Sequence, residues 1–289
     1  HTMNLLDQDL LSVQEARILA ERGREAQKKL AAFSQQQLDT IVEAIAIEME
    51  QHGEELARLS QEETDYGRWQ DKYVKNRFVC TTLRQQLKPL RCVGIIGEDK
   101  AQGTADVGVP LGVIVALPPA TSPVSVTIST AMIALKAGNA IIFSPHPRAC
   151  STIGKALDYL IAAAEAAGLP EGAVAYLHTL SAAGTKELVQ HKATALLINT
   201  GVSEMLEVCK QSGKPFIYGG HGHGPAFIER TANLQQAVAD ILLSKTFDYG
   251  MGAGAEQAVV VDGCVSETVQ HEFEKKGAYF LSYAESRQL

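Results

Sequence analysis

Apolar positions recur at helical spacing over the first part of the chain. Leu38, Ile41, Ile45 and Met49 lie three or four apart and mark one face of a helix. Ser34-Gln-Gln-Gln37 ahead of them is a capping box, in which hydroxyl and side-chain amide satisfy each other's backbone N–H groups. Ser12-Val-Gln-Glu15 has the same form and predicts an earlier helix running to about Phe33. A third helical stretch spans Asp71 to Leu87 and ends before Pro89. Between Cys92 and Val109, two short strand-like runs flank the polar turn Gly97 to Gly103, which predicts a hairpin.

From Leu111 the rhythm alternates. Strands are predicted at 112–117, 140–143, 174–177, 195–198 and 216–218, with helices at 125–136, 149–167, 185–191 and 203–211 between them. Continuous apolar strands separated by helices imply an α/β fold, a parallel sheet with helices on both faces. Ligands of such sheets bind beyond the carboxyl ends of the strands. A helix at 234–245, a glycine-rich loop, a strand at 258–261 and a helix at 267–276 follow. That last strand–helix unit has no partner strand from its own domain, which leads us to expect a truncated or naturally short protein.

Composition narrows the function classes. A net charge of −7 argues against a nucleic-acid or anionic-membrane partner, because no basic surplus exists to neutralise phosphates. The five cysteines have neither zinc-ligand nor disulfide-framework spacing, so reduced structural thiols in a cytoplasmic protein are expected. His1-Thr2-Met3 looks like a tag scar, and neither a signal peptide nor a membrane span is expected.

Two strand-to-helix turns stand out. Ser144-Pro145-His146-Pro147 sits where a phosphate or adenosine would meet a helix N-terminus; two prolines would also make it a rigid turn without any ligand. Thr200-Gly201-Val202-Ser203 is the second, although Ser203 could simply cap the helix that follows. Thr121 and Ser122, in a stiff proline-bounded turn, are either N-caps or polar groups aimed at a substrate. The run Gly250-Met-Gly-Ala-Gly254 follows a helix and precedes a strand, the reverse of a dinucleotide cradle. Its glycines would instead let backbone amides approach a reacting group. His221 and His223, two apart in a glycine-rich turn, have no evident third ligand, so no metal is expected. His146 and His178 at strand ends could point into the cleft.

At Asp71-Lys-Tyr-Val-Lys-Asn76, Ala140-Ile-Ile-Phe-Ser-Pro-His-Pro-Arg-Ala149, Ser212-Gly-Lys-Pro215 and Glu256-Gln-Ala-Val-Val-Val-Asp262 the chain resembles the CoA-acylating aldehyde dehydrogenases. These include the aldehyde half of bifunctional aldehyde–alcohol dehydrogenases and enzymes of bacterial microcompartments. The resemblance runs from about Leu11 to Leu281. It implies a Rossmann-like coenzyme-binding domain, taken as 4–245, with 92–109 as part of an oligomerisation arm and 246–289 as the start of an incomplete catalytic domain. It implies NAD or NADP as hydride acceptor, CoA as co-substrate and a small aldehyde as substrate. The partners it leaves open are a second copy of the chain or a partner dehydrogenase subunit; the location is cytoplasmic or inside a microcompartment. Ser144 to Pro147, Thr200 to Ser203, Thr121, Gly219 and Gly220 would line the cofactor.

The family's reaction begins with attack of a cysteine thiolate on the aldehyde, giving a hemithioacetal that loses hydride to NAD(P)+; CoA then takes the acyl group. This sequence departs from the family where that chemistry happens. The resemblance places Ala253, in Ala253-Gly-Ala-Glu-Gln257, at the nucleophile's position, with Glu256 nearby. Ser122 stands where the family has the asparagine that helps hold the oxyanion, and Val202 and Glu204 replace glycines. The resemblance therefore implies an oxidoreductase family member that is inactive or impaired, or a pseudoenzyme serving as a nucleotide-binding or assembly module.

Overall fold

The computed structural model describes residues 6–289; the His1-Thr2-Met3 segment lies outside them. Contacts divide the chain into two units, one up to Gly220 and one from His221. The boundary drawn on sequence lay near residue 245. The helix at 234–246 packs with the later elements, which moves the division earlier.

The first unit opens with helices α1 (Gln8–Leu30), α2 (Gln35–Gln51), α3 (Gly53–Thr64) and α4 (Trp69–Phe78). A π-helical turn (Val79–Leu83) links α4 to the short α5 (Arg84–Leu87). Apolar spacing does not distinguish i+5 from i+4 bonding, so the pattern from Asp71 to Leu87 predicts one continuous helix. The capping box at Ser34 is present. The one expected at Ser12 is not: Asp7 caps α1, and Ser12 lies inside the helix, fully buried. Glu15 instead accepts the backbone N–H groups of His178 and Thr179. Helix α3 went unread because Ser60 and Thr64 fill two of its inward positions and mask the apolar stripe.

The hairpin forms from β1 (Gly94–Asp99) and β2 (Thr104–Gly108), antiparallel. Then come β3 (Val113–Leu117), α6 (Pro123–Lys136), β4 (Ala140–Phe143), α7 (Cys150–Ala166), β5 (Val174–Tyr176), α8 (Ala182–Gln190), β6 (Thr194–Asn199), α9 (Leu206–Gln211) and β7 (Phe216–Tyr218). The sheet order is β5-β4-β3-β6-β7, all parallel. Right-handed crossovers explain its layers. From β3 to β5 the chain winds one way, with α6 and α7 on one face; from β5 it turns back past β3 to β6 and β7. The helices of that return, α8 and α9, fall on the other face, where α1 packs against α8 and β4. Helices α2 and α3 form an outer layer over α6 and α7.

All residues of β3 and β4 are buried, and their side chains fill both helix–sheet interfaces. The layers approach closely at Gly184, where an added Cβ would lie 2.8 Å from the Cβ of Ser12 and 3.0 Å from its backbone carbon. No side chain of its own caps α7; its first turn is held by Glu63 at the end of α3, which accepts from the amides of Ser151 and Thr152, each at 2.8 Å.

The second unit contains β8 (Gly224–Ile228), α10 (Leu234–Thr246), β9 (Glu256–Val261), α11 (Ser266–Lys275) and the short α12 (Tyr283–Ser286). Strand β8 pairs with β9 in parallel, and Ile228, Val238, Ile241, Val269 and Phe273 form its small core. The sequence pattern missed β8 because Pro225 lacks a ladder N–H, which normally demotes a run. Among the described residues no helix is long and apolar enough to cross a membrane.

Candidate functional site

The sheet reverses its winding between β3 and β6, and a cleft of about 370 Å³ opens at the carboxyl ends of the strands there. Leu117 and Pro118 line it from β3, Ser144 to Pro147 from β4. Leu180, Ser181 and Thr185 enter it from the start of α8, and Val202, Glu204 and Met205 from the turn after β6. The walls are largely apolar, suited to a flat heterocycle.

Hydrogen bonding fixes what its polar groups can offer. The Thr185 hydroxyl donates to the Ser181 carbonyl at 3.1 Å, so Ser144, 2.8 Å away, donates to Thr185 and keeps its lone pairs for a ligand. The Ser181 hydroxyl accepts from the Gly184 amide. His146 Nδ1 accepts from the Arg148 amide at 3.1 Å, which leaves the ring proton on Nε2. Burial holds this imidazole below the ordinary histidine range; the nearby Glu204 charge works against that shift and Arg148 with it. Arg148 itself is tied down elsewhere, donating to the Thr64 carbonyl and the Tyr66 hydroxyl at 3.0 and 2.7 Å.

The turn after β6 is clamped by the fully buried Asn199. Its Oδ1 accepts from the Val202 amide at 2.8 Å and its Nδ2 donates to the Val202 carbonyl at 2.9 Å. The Ser203 hydroxyl makes no cap; it reaches only the neighbouring Glu204 carboxylate at 3.5 Å. The Thr200 amide donates to the Leu117 carbonyl, and Gly201 takes a left-handed φ of 77°. Gly219 donates its amide to Asn199, and the turn Gly219-Gly220 runs beside Thr200 and Gly201.

Thus Ser144, Pro145, His146, Pro147 and Val202 meet in the cleft, while Thr121, Thr200, Gly201, Ser203, Gly219 and Gly220 are outside its lining. Ser122 heads α6 without capping it; its Oγ accepts from Lys75 Nζ at 2.9 Å, and the Thr121 carbonyl accepts from Lys72 Nζ at 2.8 Å. Sequence reasoning did not assign these two lysines a site role. Their signal was the i, i+3 spacing within Asp71 to Asn76, which puts both on one face of α4.

In the second unit, Ala253 sits just before β9 in a turn preceded by two left-handed non-glycine residues, Asp248 (φ 49°) and Tyr249 (φ 52°). Such strain concentrates at functional turns. Gly222 packs on Ala253: a Cβ there would lie 2.8 Å from the Ala253 Cα, so the turn bearing His221 and His223 flanks position 253. One carboxylate oxygen of Glu256 is buried with no hydrogen-bond partner among the described residues. Cys264 follows the far end of β9, a strand of six residues that is roughly 20 Å long at about 3.3 Å per residue, and Ala253 precedes its near end. Among the described residues no group of three or more His, Cys, Asp or Glu side chains is arranged to hold a metal ion.

Residues 5–279 match the aldehyde dehydrogenase family. The chain belongs to that family. Among solved aldehyde dehydrogenases, a probable enzyme from Listeria monocytogenes EGD-e superposes with a TM-score of 0.95 at 46% identity, over 98% of this chain and 62% of that one. An acetylating aldehyde dehydrogenase from Geobacillus thermoglucosidasius gives 0.93 at 38% identity, over 98% and 63%. The bifunctional aldehyde-alcohol dehydrogenase AdhE of Escherichia coli K12 is 37% identical over 93% of this chain, which spans 30% of that protein's length. The aldehyde dehydrogenase fold expected from the sequence is thus shown, and the relatives include acylating enzymes.

Proposed function

We propose that this aldehyde dehydrogenase family member binds an adenosine-containing cofactor, NAD or NADP, in the cleft, and does not oxidise aldehydes through a cysteine. The methyl group at position 253 carries this reading. The acylating reaction of the relatives' class converts aldehyde, CoA and NAD+ to acyl-CoA and NADH. A methyl has no lone pair with which to capture a carbonyl carbon, so no hemithioacetal forms and no hydride is released. Cys264, at the opposite end of β9, cannot stand in for it. Ser122, where the family has the oxyanion asparagine, lacks the amide N–H donors of that side chain and is engaged by Lys75.

The residues present fit an adenosine. Leu117, Pro118, Leu180 and Val202 supply apolar walls for the base, and Ser144 offers acceptor lone pairs to a ribose hydroxyl. When bound, the nicotinamide group would accept hydride; this chain's own contribution is to hold and orient the adenosine. The chain then acts as a nucleotide-binding or assembly module, with a second copy or a dehydrogenase subunit as its partner.

The test pairs two measurements. Calorimetric titration with NAD+ or NADH is expected to show binding, and aldehyde, CoA and NAD+ together to give no NADH above background. Turnover would overturn the silenced reaction centre; absence of nucleotide binding would overturn the cleft assignment.

A further inference from the structure

We infer that Glu204 makes this cleft select adenosine ligands whose ribose hydroxyls are free, such as NAD, over those carrying a ribose phosphate, such as NADP and CoA. The inference rests on the adenosine assignment above and refines it to a ligand class.

Donors, acceptors and charge separate the two ligand classes. A phosphate monoester brings two negative charges and oxygens that can only accept. Among the described residues no lysine or arginine lines the cleft. Arg148, nearest in sequence, is spent on Thr64 and Tyr66. The amide of Val202, which a phosphate at this turn would use, is already donated to Asn199. The Ser144 hydroxyl proton is given to Thr185, so it too presents lone pairs. Among the described lining residues two side-chain donors are left: the Ser181 hydroxyl, which accepts from the Gly184 amide and keeps its own proton, and His146 Nε2–H, on a ring that burial keeps neutral at pH 7. Against these two neutral donors stands the carboxylate of Glu204, exposed on the turn and facing the same space. One negative charge with no lining cation to offset it accepts from ribose hydroxyls and repels a phosphate.

A carboxylate within several ångströms of a dianion in a wet cleft should weaken binding by at least about tenfold. The repulsion is Coulombic, so salt should shrink it. The probes are AMP, adenosine 2′,5′-bisphosphate and adenosine 3′,5′-bisphosphate, titrated calorimetrically into the wild type, Glu204→Gln and Glu204→Lys. Glu204 is exposed and makes no core contact, so both variants should fold, which circular dichroism verifies. We expect AMP to bind about tenfold or more tightly than either bisphosphate at low salt. Glu204→Gln should bring the three within about threefold, and Glu204→Lys should reverse the order. Equal affinity of all three for the wild type, or discrimination unchanged in Glu204→Gln, overturns the role of Glu204 while leaving the cleft assignment standing. No binding of any probe to any of the three proteins overturns both.

Discussion

Strands β3 and β9 are both apolar runs in parallel ladders, yet all five residues of β3 are buried while the middle four of β9 are exposed. The difference comes from neighbours. β3 is hydrogen-bonded on both edges and covered by helices on both faces, whereas β9 pairs only with β8 and packs against α10 and α11. An apolar run therefore states a demand for cover, and topology decides how far the demand is met. The same contrast separates the two sites: the cleft is framed by a rigid, fully wound sheet, and position 253 by a strained turn at the start of a half-covered strand.

The contrast is open to direct test. The largest expected effect is on thiol chemistry. Burial pushes the Cys80 thiol up to about 12. Its thiolate fraction near neutral pH should then be roughly 10³-fold below that of a free cysteine. Timed labelling with a chromogenic disulfide, read by peptide mass spectrometry, should modify the exposed Cys264 first and Cys80 only on unfolding. Early labelling of Cys80 would show the first unit's helical layer to be loosely packed.

Next comes the core. Phe143 is fully buried in β4, and Phe143→Ala should cost about 3–5 kcal/mol in urea unfolding. Phe227, 63% exposed on β8, should cost under about 1 kcal/mol when replaced by alanine. Equal costs would erase the distinction between the units. Smaller than the loss at Phe143 is that expected of Gly184→Ala. Alanine favours helix, but here its methyl meets Ser12, and a net loss of about 1–3 kcal/mol is expected. A gain in stability would show that α1 shifts freely over α8.

The smallest effect is on pH dependence. A hydrogen bond from Arg84, helped by its charge and opposed by partial burial, holds the Glu43 carboxyl below the ordinary range. A depressed carboxylate stabilises the fold above the pH where the unfolded group ionises, about 4.3, and that stability is lost as pH falls through the lower folded value. Both ends are partly exposed, so the loss should be under about 1 kcal/mol. Glu43→Gln should flatten that part of the acid limb of stability against pH; an unchanged acid limb would remove this pair from the account.

The parallel sheet was legible because β3 to β7 and their helices carry continuous apolar runs bounded by turn residues. The Ser34 cap was legible for the same local reason. The Ser12 motif failed because its real use is tertiary: Ser12 lies under Gly184 and Glu15 reaches the residues after β5. Of the cleft, the sequence identified the Ser144 to Pro147 turn and Val202. It did not supply Leu180, Ser181 or Thr185, since nothing local says that the start of α8 folds over the end of β4. The Asn199 clamp was equally hidden, since an asparagine ending a strand has no signature until the next turn closes on it.

The Glu63 cap ties two moments of folding together. The first turn of α7 is completed by a carboxylate 88 residues earlier than Ser151. That turn can become fully hydrogen-bonded only once α3 has docked. The amide protons of Ser151 and Thr152 should then exchange with solvent at the rate at which α3 lifts away, rather than at the faster rate of an end that frays alone.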